Sequence, residues 1–395
     1  MIEFPKEFLW GAATSAYQVE GNNMFSDWWE WEKRAGLKDL SGLACRHYEL
    51  YDQDFDLAKE LNHNCHRLSI EWARVEPEEG NFSQKELEHY RRVILALKER
   101  GLKPIVTLLH FTNPIWFAKI GGWRNRKADK YFLRYVEKVV SLLAAEVPFW
   151  VTINEPNVYT YHSYLLGYWP PQDKSFFRAR QVTASLANTH IQAYRLIRAI
   201  YKQNNLTCPK ISIAQNMQAF IPRAPSLANK IVVYLKHKFY NLEFIEKLIA
   251  HQALDFIGMN YYSPSWVGKE SRKSAPRVFR KNSMGWDIYP EGLYDLLAGL
   301  KKYNLPVFIL ENGICTDNDA SRWDYIREHL VSLSRAMHKG VKVLGYVYWS
   351  LLDNFEWDKG FAPRFGLVEV DYHTYQRAIR ESARKFAEVC LTNKL

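Results

Sequence analysis

The sequence predicts an α/β protein folded as a single (β/α)8 TIM barrel over residues 1–395, and three observations predict it. Short β-rich apolar runs alternate with amphipathic helical stretches along the whole chain. Eight such runs are found, and neither a low-complexity linker nor a change of composition divides them. Five of the eight end in a polar or charged residue that a strand buried on both faces does not favour: Glu71, His110, Glu155, Asn216 and Glu311. In a parallel barrel the strand C-termini open on one face, and functional side chains gather there.

The expected strands are 8–16, 65–71, 103–110 and 149–155, followed by 210–216, 253–262, 306–312 and 343–351. The third contains Pro104-Ile105-Val106-Thr107-Leu108-Leu109, apolar on both faces as a strand covered by helices on one side and a barrel interior on the other must be. Helices are expected between them. The stretch 86–100 (ELEHYRRVILALKER) has helical spacing of its apolar residues and is closed by Gly101 as a C-cap. Stretches 128–145 and 323–338 have the same character.

Hydrophobic residues make up 47% and charged residues 24% of the chain, which excludes disordered, collagenous and coiled-coil classes. Aromatic residues reach 15%, a share that favours an aromatic-lined recognition surface over a plain scaffold. The net charge of +10 comes without a nucleic-acid-binding motif, so no nucleic-acid partner is expected. Cys45, Cys65, Cys208, Cys315 and Cys390 are scattered without a CxxC pair, so neither a zinc site nor a disulfide framework is indicated. The N-terminal residues lack a basic segment followed by an apolar one, and no apolar run approaches the roughly 18 residues of a membrane span. A soluble protein of the reducing cytoplasm, with no membrane partner, is the expectation.

Two carboxylates stand out chemically. Asn154-Glu155-Pro156 ends the fourth strand and Glu311-Asn312-Gly313 the seventh, so only barrel closure brings the two acids together. A lone Asn-Glu-Pro is no more than a turn; the pairing carries the weight. Two carboxyl groups across a sugar-sized pocket are what glycosidic cleavage requires, one protonating the departing oxygen and the other attacking the anomeric carbon or activating water. A gap of about 5–5.5 Å gives retention of configuration and a wider one inversion.

An ordered set of blocks adds to this. They are 4–21 (FPKEFLWGAATSAYQVEG), 67–72 (RLSIEW), 106–111 (VTLLHF), 152–156 (TINEP), 255–262 (DFIGMNYY), 310–313 (LENG), 349–357 (WSLLDNFEW) and 364–367 (RFGL). In this set the chain resembles glycoside hydrolase family 1, the retaining β-glucosidase and β-galactosidase family, as a shortened member. The resemblance implies Glu155 as general acid/base and Glu311 as nucleophile, with Arg67 and Tyr262 as partners of the nucleophile. It implies Asn154 as the contact to the sugar 2-OH, and Gln18, His110, Trp349, Glu356 and Trp357 as the glycone-binding set. Asn260 and Phe365 fall within the same blocks and join the substrate-binding candidates. Glu356 in place of a small polar residue points to unphosphorylated sugars. The implied activity is hydrolysis of short β-linked oligosaccharides or aryl and alkyl β-glycosides through a covalent glycosyl-enzyme, with no metal and no cofactor. A transglycosidase and a catalytically weak sugar-binding barrel are the alternatives.

The chain departs from the family pattern at three places. Leu310 stands where Thr is common, and Phe111 where Trp is frequent. The chain is also short between Asn216 and Asp255, which is expected to open the pocket or to bare apolar strand surface, covered by a homo-oligomer or a bound ligand. Two further features are set apart. His63, Cys65 and His66 cluster like metal ligands, but at the start of a strand, where structural roles are expected. The basic stretch 268–282 is either a solvated charge run or an attractor of acidic aglycones.

Overall fold

The computed structural model describes residues 2–269 and 279–395, so most of the basic stretch 268–282 lies outside the described residues. Eight parallel strands close into a barrel in sequence order: β1 Leu9–Ala13, β2 Cys65–Ser69, β3 Lys103–Thr107, β4 Phe149–Asn154, β5 Lys210–Pro222, β6 Ile257–Val267, β7 Val307–Asn312 and β8 Val343–Trp349. β1 closes the ring against β8, from Leu9 opposite Gly345 to Ala13 opposite Trp349. One helix follows each strand on the outside: α1 His47–Glu60, α2 Gln84–Glu99, α3 Ala128–Leu143, α4 Phe176–Gln203, α5 Glu243–Ala250, α6 Pro290–Leu300, α7 Asp319–His338 and α8 Glu381–Thr392.

The apolar side chains divide into two layers. Leu9, Ile105, Val151, Phe308 and Val347 fill the barrel interior, while a larger cluster holds the helices to the outer strand faces. His63, Cys65 and His66 are buried, and His66 Nε2 lies 3.1 Å from the Thr14 hydroxyl. Leu310 packs within the interior cluster.

Helix boundaries follow their caps. α2 begins two residues ahead of the expected stretch because the Ser83 hydroxyl accepts from Glu86 N at 3.4 Å. α7 begins at Asp319 because the Asn318 side chain accepts from Ser321 N at 3.1 Å.

The larger difference is in β5 and β6. Both run past their expected ends at Asn216 and Tyr262 and pair out to Pro222 opposite Val267, after a register shift between Met217 and Ala219. Met217, Ala219 and Ile221 alternate with the less buried Gln218, Phe220 and Pro222, the period of a half-covered ribbon. A further helix, Leu227–Lys236, continues through a π-helical turn, His237–Leu242, into α5, and both pack along β5. The short fifth unit therefore does not bare strand surface as expected. The strand is covered, and the apolar exposure has moved outward onto the covering helix.

Candidate active site

β4 ends at Asn154, and Glu155 then takes a left-handed backbone, φ +41°, before Pro156 opens the short helix Pro156–Thr160. Proline suits the first helical position and steers the residue before it away from the α region. A non-glycine residue in the left-handed region is held there by its surroundings, and such residues cluster at functional sites.

Both hydrogen bonds to the Glu155 carboxyl fall on the same oxygen. Asn216 Nδ2 and Asn260 Nδ2 each donate to Oε1 at 2.9 Å. An oxygen that accepts two N–H groups is not the one that carries a proton, so the acid proton belongs on Oε2. Tyr240, from the π-helical turn, donates its hydroxyl to Asn216 Oδ1 at 3.1 Å. Burial, and after it the charge of Glu311, pushes the Glu155 carboxyl up to about 8, against the pull of the two amides and of Arg67.

Glu311, near the end of β7, accepts from Arg67 Nη1 on one oxygen and from the Tyr262 hydroxyl, at 2.5 Å, on the other. Arg67 comes from β2 and also donates to Asn154 Oδ1 at 2.6 Å and to Thr107 Oγ1 at 3.2 Å. Burial and the charge of Glu311 raise the Tyr262 phenol well above its ordinary range, so at neutral pH it is a donor. Gly313 keeps this turn against β8: a Cβ there would lie 1.9 Å from the Trp349 carbonyl oxygen.

The floor is polar and the walls aromatic. Gln18 Nε2 lies 3.0 Å from both Asn354 Oδ1 and the Phe355 carbonyl, and 3.1 Å from Glu356 Oε2. Asn154 Nδ2 lies 3.2 Å from His110 Nε2. Burial and the Arg67 charge lower the His110 pKa, so the ring is neutral; with Nε2 accepting, its proton sits on Nδ1, which has no protein partner among the described residues. The His110 ring stacks with the Trp349 and Trp357 rings at 5.9 and 6.0 Å. Phe365 and Trp286 flank Tyr262 at 6.2 and 6.1 Å.

These groups meet in one cavity of about 570 Å³. Of the residues singled out in the sequence, Gln18, His110, Asn154, Glu155, Tyr262, Glu311, Trp349, Glu356, Trp357 and Phe365 line it. Arg67 and Asn260 stand behind the lining and bond to the two carboxyl groups. Glu71 does not join them. It turns back to accept from Thr112 Oγ1 at 2.7 Å and from Ala73 N at 3.2 Å, and so caps the helix Trp72–Val75. Sequence reading did not assign Asn216, Tyr240, Trp169 and Trp286 to the site, though all four line the cavity. Asn216 carried the strand-end signal; Tyr240 carried none, because only the π-helical turn brings it there. Among the described residues no group of three or more His, Cys, Asp or Glu is arranged to hold a metal ion.

The family model of glycosyl hydrolase family 1 matches residues 1–250 and 234–395. The chain belongs to this family. Among curated family 1 relatives, beta-glucosidase A of Acetivibrio thermocellus is 35% identical, with 99% of each chain covered. Among solved structures, a beta-glycosidase from Pyrococcus horikoshii superposes with a TM-score of 0.93 at 38% identity, covering 100% of this chain and 96% of the other. The beta-glucosidase from Thermotoga maritima in complex with glucoimidazole gives 0.94 at 32% identity, with both chains covered in full. The expected family and barrel class are thus met over the whole chain, and among its described residues no helix is long and apolar enough to cross a membrane.

Proposed function

We propose that this family 1 member is a retaining β-glycosidase of β-glucosidase type, built as one catalytic domain over residues 1–395 and acting on short β-linked oligosaccharides or aryl and alkyl β-glycosides. The observation that carries the reading is the difference between two carboxyl groups sharing one cavity. Glu311 is tied to a guanidinium and a phenol, whereas among the described residues Glu155 accepts only from neutral amides and is pushed up to about 8. Glu311 thus has donors on both oxygens while Glu155 is held as an acid, the division of labour that double displacement needs.

In the first step a Glu311 oxygen bonds to the anomeric carbon as the glycosidic C–O bond breaks, and the departing oxygen takes the proton from Glu155 Oε2. The ester has no charge, so the repulsion that helped to raise the Glu155 pKa is gone. Glu155 then accepts a proton from water, whose oxygen bonds to the anomeric carbon and releases Glu311 as carboxylate. Arg67 holds Glu311 in place and also donates to Asn154, the group that faces the sugar 2-OH.

Unphosphorylated glycones fit best. Glu356 borders the cavity, and among the described lining residues the neighbouring cation, Lys359, is already paired with Asp358 Oδ2 at 2.6 Å. Five free cysteines, four of them buried, support work in a reducing cytoplasm. The test is a panel of p-nitrophenyl β-glycosides, with the first-formed anomer read by proton NMR. Cleavage with retention, abolished in Glu311→Ala, is expected. Binding without cleavage, or release of the inverted anomer, would overturn the proposal.

A further inference from the structure

The helix Leu227–Lys236 is built inside out. Leu227, Ile231, Tyr234 and Leu235 fall at helical spacing on one face, the pattern that normally seats a helix on a core. Here that face looks to solvent: Leu227 is 75% exposed, Tyr234 62%, Ile231 50%, and Phe239 in the following turn 57%. On the opposite side sits Asn229, buried to 4%. Its side chain accepts from Lys269 N at 3.0 Å and donates to the Lys269 and Ala224 carbonyls at 2.9 and 3.0 Å. A polar clamp thus helps to fix the helix against the strand ends with its apolar stripe outward. A second exposed pair is tied to the same helical rod. Phe177, 83% exposed, opens α4 with Phe176, and one turn on Arg180 forks onto Glu243, the residue after the π-helical turn, at 2.5 and 2.6 Å.

The helix and its flanking turns carry charge of a single sign, and Glu243 of the next helix is paired with Arg180. Residues 221–242 contain Arg223, Lys230, Lys236 and Lys238 and no Asp or Glu. We propose that this surface docks on an anionic phospholipid bilayer, with the helix lying in the headgroup region and its apolar stripe in the acyl boundary. Apolar and basic residues side by side on an exposed helix match both parts of such a surface, hydrocarbon below and negative charge above. A second copy of this chain is a poorer match, since it would bring the same lysines against one another. That no helix among the described residues is long and apolar enough to cross a bilayer says nothing against lying on one. The same helical rod carries Tyr240, which lines the catalytic cavity, so docking sets the cavity rim near the lipid headgroups and favours glycosides with a membrane-held aglycone.

The experiment is flotation of the full-length protein with vesicles of phosphatidylcholine alone or mixed with phosphatidylglycerol, alongside sedimentation of the protein without lipid. The wild type is expected to float with the mixed vesicles, much less with phosphatidylcholine alone, and to be released by salt. The variant Leu227→Gln/Ile231→Gln/Tyr234→Gln is expected to lose at least about tenfold in partitioning while keeping its activity on a soluble aryl glycoside, because these side chains stand clear of the cavity. Lys230→Glu/Lys238→Glu is an independent variant, expected to lose the preference for the anionic lipid. Vesicle binding is read without turnover, so its failure is distinct from failure of the glycosidase reading. No flotation of the wild type, undiminished flotation of both variants, or a dimer that the triple variant abolishes in the absence of any flotation each overturns the proposal.

Discussion

Arg67 on β2 donates to the carboxylate of Glu311 on β7, a residue 244 positions away, and both side chains are closed off from solvent. A buried ion pair of this kind leaves an uncompensated charge if one partner is removed. Glu311→Ala is expected to lower kcat by on the order of 10⁴ or more on every substrate, because the covalent route is lost. Arg67→Met is expected to lose activity and folding stability together, measured by kcat/KM and Tm. An active, fully stable Arg67→Met enzyme would remove the guanidinium from the account.

Glu155→Ala separates leaving groups. An aryl oxide departs with little protonation and an alkoxide does not. Activated aryl glycosides are expected to lose far less kcat/KM than alkyl glycosides in this variant. Equal losses on both would count against the acid role.

The Glu155 carboxyl stands at about 8, so kcat/KM for alkyl glycosides is expected to fall as pH rises through that value. The Asn216 amide pulls this pKa down by donating to Oε1. Asn216→Ala is therefore expected to move the basic limb to higher pH, and Tyr240→Phe, which frees the Asn216 carbonyl, to move it the same way by less. A limb that stays put in both pH–rate profiles would make the two residues mere lining.

Glu356→Gln is expected to lower kcat/KM for unmodified glucosides by about 10–100-fold, since a site built around a hydroxyl contact loses it in the transition state. Competition between glucosides and 6-phosphoglucosides checks the companion claim. A clear preference for the phosphorylated sugar in the wild type would overturn it.

Glu71 offers a stability readout away from the chemistry. Burial pushes its carboxyl up to about 8 from 4.5. The native state then holds a proton that the unfolded chain has lost, so the contribution to stability is full below 4.5 and fades as pH rises through about 8. Glu71→Gln, which cannot ionise, is expected to gain in Tm relative to wild type as the pH is raised from about 5 to about 9. A difference independent of pH would place the carboxyl's ionisation outside the stability of the fold.

The barrel and most of the site were legible because they are periodic or punctual. Strand runs such as 104–109 and strand-end acids such as Glu155 and Glu311 are local signals that need no knowledge of distant contacts. What was not legible was tertiary in origin. Glu71 has the same strand-end signature as Glu155, but Thr112 and Ala73 draw it away from the cavity. Tyr240 reaches Asn216 through one extra-wide helical turn that no spacing rule reveals. The stripe on Leu227–Lys236 was readable as amphipathic, but its direction was not, because a single buried amide, Asn229, decides which side faces the protein.

Gln18 and Glu356 are joined at the cavity floor although 338 positions separate them. On the proposed function, the sugar-reading surface is thus a seam between the first and last turns of the ring. Such a site is incomplete in a chain emerging from the ribosome until Glu356 has been released, and half-barrel fragments lack it until they reassociate. Catalytic onset in refolding therefore reports the joining of the two ends, whichever quadrant of the ring collapses first.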